Sequence, residues 1–355
     1  MGTRFREVVQ LREHLAHAFE ECQQSDTGEV CDLLQDLCGG EEIDEQVLRL
    51  ERLKRDVYRL RIGDRPEQSM VLKQLKPATA QTDRLVAERW LPALGLGDRC
   101  PRLLGTAALR DGSWVWHVYE DLGRETLADG CEPSQLSAAI DLLAELHTRG
   151  AAYPLLAEVR WGARDLGEQF FTANVRDAIA ALDALATFRG NVPGAFPSAR
   201  ARLLDRLQRL LEDAPRLMRA LRDLGGPDTL LHGDLWPKNV FVSMSGDTPR
   251  ARLIDWDHVG TGPFSYDLST FLYRTPAAAR LWVLQSYRRA VSRAGWVLPG
   301  YEELNLLFHT AENARYAHCI LFDALAVLHN GAEKSAEELM DFERWLAALR
   351  PPLPE

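Results

Sequence analysis

The 355-residue chain has no Cys-x-x-Cys pair, although it carries six cysteines, at positions 22, 31, 38, 100, 131 and 319. Three of them fall within residues 22–38, but no histidine partner follows at finger-like spacing. A zinc site is therefore not expected, and the thiols read as idle or buried groups of a reducing compartment. No apolar run is long enough to span a membrane, and the N-terminus has no signal-peptide block, so the expectation is a cytoplasmic protein without a membrane partner. Long basic runs are missing too. With 42 Lys and Arg against 52 Asp and Glu, the formal charge of −10 argues against nucleic acid as the main partner. That charge is compatible with a cationic small molecule without showing one. Internal repeats and low-complexity tracts are also absent. What remains, 46% hydrophobic and 26% charged, is an ordinary globular composition, long enough for two lobes.

The informative stretch is residues 230–267, which begins LLHGDLWPKNVFV and continues, after a short gap, RLIDWDHVGTGPFSYD. Phosphoryl transfer needs such a set: one carboxylate to orient or take the proton of an attacking hydroxyl, and an amide oxygen with a second carboxylate to hold Mg²⁺ against nucleotide phosphates. The pattern H-x-D-x-x-x-x-N supplies His232, Asp234 and Asn239, and Asp255 follows an apolar run as the second metal carboxylate. Pro237 discourages helix just before Asn239. Residues 240–242 and 252–254 read as the two strands of a hairpin across a turn-rich segment, which would bring Asn239 and Asp255 to one end. A polar turn with a structural Asp is the bland alternative, common for any single Asp but not for this ordered set.

On HGDLWPKN and IDWD together, the chain resembles the aminoglycoside phosphotransferase and choline kinase group over roughly residues 45–330. That resemblance implies a two-lobed, protein-kinase-like α+β fold, with a small lobe built on an antiparallel sheet and a larger, mainly helical lobe. It also implies ATP, or another nucleoside triphosphate, with Mg²⁺ between the lobes, and a small-molecule hydroxyl as acceptor. Asp234 would be the catalytic base, Asn239 and Asp255 the metal ligands, and His232 a loop brace. Asp267, in FSYDLSTF, would open a helix and support the catalytic loop. Departures from the protein kinases narrow the reading. Gly233 stands where many of those enzymes carry an Arg that answers a phosphorylated activation loop, and only eleven residues separate Asp255 from Asp267. There is little room for a switchable segment, so a protein or peptide kinase is the runner-up. A pseudokinase-like binding module and a metal-dependent phosphohydrolase are the rivals from other classes.

Three divisions are expected: an N-terminal helical extension over 1–44, a nucleotide-binding lobe over 45–120, and a large lobe over 121–350. Helical spacing marks residues 4–22 and 28–38, the latter stopped by Gly39-Gly40. Strands follow at 47–53, Val57–Ile62 and 70–73, with a turn at Pro66 and Gln68. Lys73 ends an apolar strand; in the kinase reading it contacts phosphates and pairs with an acid on a helix over 82–94. Glu88 is the first choice for that acid and Asp83 the competitor. The turn between the first strands is Lys54-Arg55-Asp56, with no glycine for close backbone approach to phosphate, so Lys54 or Arg55 would contact phosphate through side chains. Residues 114–119 form another strand, and the following turn resembles the family's hinge, where backbone near Glu120 and Leu122 would meet the adenine edge. Helices over 165–186 and 198–224 would shape the acceptor pocket. In a long helix over 302–329, Glu312, Tyr316 and Asp323 share a face and, with Asp257, are candidate contacts for a cationic acceptor; a solvated helix face is the alternative.

Overall fold

The computed structural model describes residues 15–20, 27–38, 48–62, 69–130, 132–246 and 248–354. The first part of the helix expected over 4–22, the stop at Gly39-Gly40 and the turn at Pro66 and Gln68 lie outside the described residues. The small lobe is an antiparallel sheet of β1 (Leu48–Lys54), β2 (Val57–Ile62), β3 (Ser69–Leu75), β4 (Leu103–Ala108) and β5 (Val115–Glu120), in the order β1-β2-β3-β5-β4. Alternation along β2 turns Tyr58, Leu60 and Ile62 to one face, where they join Leu72, Trp116 and Val118 in a buried core. Residues 15–20 and helix α1 (Gly28–Leu37) cover that core. The Phe19 ring lies 5.8 Å from Tyr58 and 5.5 Å from Trp116. At Gly105 of β4 an added Cβ would lie 2.8 Å from Leu33, which is why the chain carries glycine under this helix. With one β-branched residue and no apolar–polar alternation, LLGTAA also hid β4 from periodicity.

After β3, helix α2 runs Pro77–Leu85, passes through a π turn at Val86–Trp90, and ends at Leu91–Ala93. It starts five residues before the expected 82, because Pro77 at the first helical position presets φ. The large lobe comprises α3 (Pro133–Ala152), α4 (Leu156–Gly162), α5 (Glu168–Ala184), α6 (Phe196–Leu224), α7 (Ser265–Tyr273), α8 (Ala277–Ser292), α9 (Tyr301–Asn330) and α10 (Glu333–Ala348). Short strands β6 (Arg164–Asp165), β7 (Thr229–Leu231) and β10 (Gly260–Gly262) form a three-stranded sheet, and β8 (Val240–Ser245) pairs with β9 (Thr248–Leu253). One core gathers α3, α7 and α8 around Leu143, Phe271 and Leu284; a second gathers α5, α6 and α10 around Phe171, Leu207 and Leu339. The 30-residue α9 serves both, through Leu307 and Phe308 near its start and Ala317 and Ile320 further on. Helix α8, opened by Pro276 and three alanines, had no distinct sequence signal.

Candidate active site

The segment after β7 is shaped by a buried carboxylate from the first turn of α7. Asp267 accepts from the backbone N–H of His232 at 2.6 Å and of Gly233 at 2.9 Å. Burial alone would raise its pKa. The hydrogen bond and charge of His147, then His232 and the Gly233 N–H, hold it below the usual carboxylate value. The His232 ring donates through Nε2 to the Ile254 carbonyl at 2.8 Å and accepts the Asp234 N–H at Nδ1, 3.3 Å away. Its face packs against Trp256, with ring centroids 4.6 Å apart. Neither His232 nor Asp267 is exposed, so both act on the loop rather than on a bound molecule.

Gly233 makes this loop possible. Its φ is +82°, and an added Cβ would lie 1.8 Å from the His258 carbonyl oxygen. Arg315 of α9 caps the loop from below, donating to the Gly233 carbonyl at 2.7 Å and the Tyr266 carbonyl at 2.9 Å. Asp234 is left half-buried with its carboxylate toward the cleft side of Asn239, whose Nδ2 donates to the Asp234 carbonyl at 2.8 Å.

The hairpin forms with Val240 opposite Leu253. The Ile254 N–H then donates to the Asn239 carbonyl at 3.0 Å, which sets Asn239 beside Asp255 at the open end. Asp255 is the one non-glycine with positive φ among the described residues, at 68°, a strained backbone position held by its surroundings. Its carboxylate takes Lys73 Nζ at 2.6 Å and Lys54 Nζ at 3.0 Å. Burial opposes ionisation, yet Lys73 and then Lys54 keep its pKa well below the normal range. Lys73 also meets Asp257, at 2.5 Å. Asp257 is raised instead, first by burial and also by the neighbouring Asp255 charge. Lys73 itself stays protonated, because Asp255 and Asp257 outweigh the burial that would lower its pKa.

Several expected placements change. Glu88 is exposed on the outer side of α2 and pairs with Arg84 at 2.7 Å, so it is not the partner of Lys73. Asp83 faces the cleft, buried among His117 and Tyr119, and its charge adds to the stabilisation of Lys73 without direct contact. Arg55 points to solvent; only Lys54 of the glycine-free turn reaches the site. Asp257 belongs to the Lys73 cluster and not to an acceptor surface. Glu312 is fully buried, accepting from Arg274 at 2.9 Å, Arg315 at 3.4 Å and Ser269 at 3.2 Å. Tyr316 stacks on Trp345 of α10 at 4.1 Å, and Asp323 faces Ser335 and Lys334 of the same segment. Glu312 and Tyr316 are therefore buried packing groups, whereas Asp323 is half-buried against α10.

Between the lobes a cleft is walled by Leu53, Val57, Val71, Leu122, Phe241 and Ile254, apolar faces suited to a flat ring, with Lys73 and Asp255 at its inner end. Glu120 lines its edge and is ion-paired to Arg252 of β9, while Asp121 is held by Arg59 at 2.7 Å and Ser69 at 2.5 Å. Among the described residues no three His, Cys, Asp or Glu converge on a metal position. Asp255 supplies a hard carboxylate oxygen at the cleft, and Asn239, buried beside it, carries an amide oxygen; carboxylate and amide oxygens are the donor types that suit Mg²⁺. His258 feels the charges of Arg164, Asp234 and Asp255, and His318 those of Arg164 and His258. His258 is depressed to about 4 by burial first, then by Arg164; His318 is likewise at about 4. Sequence reasoning missed Arg315, Arg274 and Trp236, since nothing local marks a helix arginine or a loop tryptophan as part of a site.

The family model described as the phosphotransferase enzyme family (APH) matches residues 49–307. No curated protein matches the chain. Among solved structures, a spectinomycin phosphotransferase in complex with ADP and spectinomycin shares 13% identity over 90% of this chain and 98% of its own, with a TM-score of 0.58. APH(2")-IIia, in a GDP and kanamycin complex, shares 15% identity over 89% and 97%, with a TM-score of 0.59. Choline kinase from Cryptosporidium parvum Iowa II shares 10% identity over 89% and 95%, with a TM-score of 0.57. At such identities these likenesses establish the shared kinase-like fold, and the family match spans most of the chain. The chain therefore belongs to the APH phosphotransferase enzyme family, whose members are small-molecule phosphotransferases.

Proposed function

We propose that this protein transfers the γ-phosphoryl group of ATP to a hydroxyl of a small molecule, with Asp234 as the group that orients and takes the hydroxyl proton. The carrying observation is a chain of contacts: Asn239 donates to Asp234, its carbonyl is tied by the Ile254 N–H to the hairpin end that bears Asp255, and Asp255 meets Lys73 at the inner end of the apolar cleft. The adenine ring would lie between Val57 and Val71 above and Phe241 and Ile254 below, its edge toward the backbone near Glu120 and Leu122. Asn239 and Asp255 would hold Mg²⁺, which supplies charge neutralisation at the transferring phosphate. Lys73, already protonated and half-buried, is placed to contact the phosphates once its carboxylate partners are shared with that site. Asp267 and His232 fix the loop, so Asp234 reaches the acceptor without reorganisation at the moment of reaction. The free thiols of Cys100 and Cys319 suit a reducing compartment, and the cytoplasm is where we place the reaction.

Asp234→Asn keeps shape and hydrogen-bonding reach but removes the proton acceptor. Phosphorylation of any accepted hydroxyl compound should drop by about two to four decades, while ATP affinity persists through Lys73 and the cleft walls. A pseudokinase-like module would show no such division between affinity and turnover, and a phosphohydrolase would release phosphate with no acceptor present. Undiminished transfer by the Asn variant removes Asp234 from the mechanism.

A further inference from the structure

A second cavity, of about 840 Å³, opens behind the catalytic loop between the segment after the hinge, the loop itself and the start of α8. Its walls include Leu127, Leu136, Trp236, Lys238, Arg274 and Trp282, and none of its lining residues is an Asp or Glu. That volume is in the range of small-molecule sites. Trp236 belongs to both features: its N–H donates to the Asp234 carbonyl at 2.9 Å, and two residues of chain span at most about 7 Å. Asp234 does not itself line the cavity; a molecule with its hydroxyl at Asp234 would reach it along Trp236.

We propose that this cavity holds the non-reacting body of the acceptor and selects a ring-bearing, largely apolar molecule with an anionic group, not a polycation; this rests on the phosphotransfer reading above. Two tryptophans and the aliphatic walls provide the apolar surface. The charges decide the sign. Lys238 Nζ lies 4.2 Å from the Trp236 ring and has no acidic partner among the described residues. The Arg274 guanidinium lies 4.4 Å from the same ring. Behind it, the single carboxylate of Glu312 is shared between Arg274 and Arg315, so that buried cluster keeps one excess positive charge. The nearby Asp129 carboxylate is turned back onto Thr126, accepting from its N–H at 2.8 Å and its hydroxyl at 2.9 Å. Another flank of Asp234 carries Arg164, His258 and His318. An ammonium group entering here meets cations already seated on the aromatic face it would need, whereas a carboxylate meets an unpaired Lys238.

The test compares two alcohols that differ in one group, 6-(hydroxymethyl)-2-naphthoate and (6-hydroxymethyl-2-naphthyl)methylammonium. Each is titrated into the full-length protein with a non-hydrolysable ATP analogue and Mg²⁺, reading tryptophan fluorescence. The carboxylate should bind at least about tenfold more tightly than the ammonium compound. Lys238→Glu should erase or invert that preference, and Trp282→Ala should weaken both probes while nucleotide affinity stays as in wild type. Equal affinities, tighter ammonium binding, or a preference indifferent to Lys238→Glu would each overturn the proposal. Transfer from ATP to the bound probe is followed separately by mass shift. Preferential carboxylate binding without transfer to any hydroxyl compound leaves the cavity assignment standing and fails the phosphotransfer reading; transfer with reversed charge preference does the opposite.

Discussion

At Gly233 the backbone sits at φ +82° with the His258 carbonyl where a methyl group would be, so Gly233→Ala has to push the catalytic loop away from residue 258. The expected cost is about 2–4 kcal/mol, combining a strained φ with a backbone clash. It should show as a lower urea midpoint together with a fall in phosphoryl transfer, and a variant with unchanged midpoint and rate would contradict the loop geometry. The chemistry of single residues was legible where type and spacing suffice: His232, Asp234, Asn239 and Asp255 stand together as expected. The acid near Lys73 was not. Glu88 lies five residues after Asp83, about 140° further round an α-helix, so only one of them can face the cleft. Packing of His117 and Tyr119 against Asp83 settles which.

Among the elements, α9 shows most clearly how a correct helix can carry a wrong face. Periodicity predicts it, and Glu312 and Tyr316 do share a side, but that side is covered by α7 and α10. Glu312 there is shared between Arg274 and Arg315. Glu312→Ala would strand two guanidinium groups in the interior and should lower unfolding free energy by about 3–5 kcal/mol, measured by urea titration. If Glu312 were instead an acceptor contact, stability would hold and only the acceptor KM would rise. Strands β4, β6 and β10 went unread for a related reason: each is short or poor in β-branched residues, and each exists because a neighbour offers a ladder.

For the molecule as a whole, stability should fall on mild acidification. His258 and His318 are half-buried, and burial first, then Arg164, holds their pKa values near 4 against an ordinary 6.5. Below pH 6.5 the unfolded chain binds protons that the native state refuses, so their contribution is complete above 6.5 and is lost progressively as pH falls to about 4. The urea midpoint should therefore drop between pH 7 and pH 4.5, with a shallower slope in His318→Gln. A flat profile over that window would show that the two imidazoles are not held neutral. Both groups sit beside Arg164, far from it in sequence, and no local pattern announces that arrangement.

The sequence by itself determined the order of His232, Asp234, Asn239 and Asp255 and the hairpin between the last two, because the apolar strand before Asp255 acts over a few residues through alternation. Pro237, expected to discourage helix, instead opens a 3-10 turn over Pro237–Asn239, where its missing N–H costs nothing. The two-lobed class came from the resemblance that HGDLWPKN and IDWD carry, with a length sufficient for two lobes. Tertiary structure decided everything that depends on which faces meet. It turned Asp83 inward and Glu88 outward, buried Glu312 between two arginines, and seated α1 on the sheet over Gly105. It also brought Trp236, Lys238 and Arg274 around a cavity without carboxylates. Charge and polarity of a pocket are sums over groups distant in the chain, and only packing fixes which groups enter the sum.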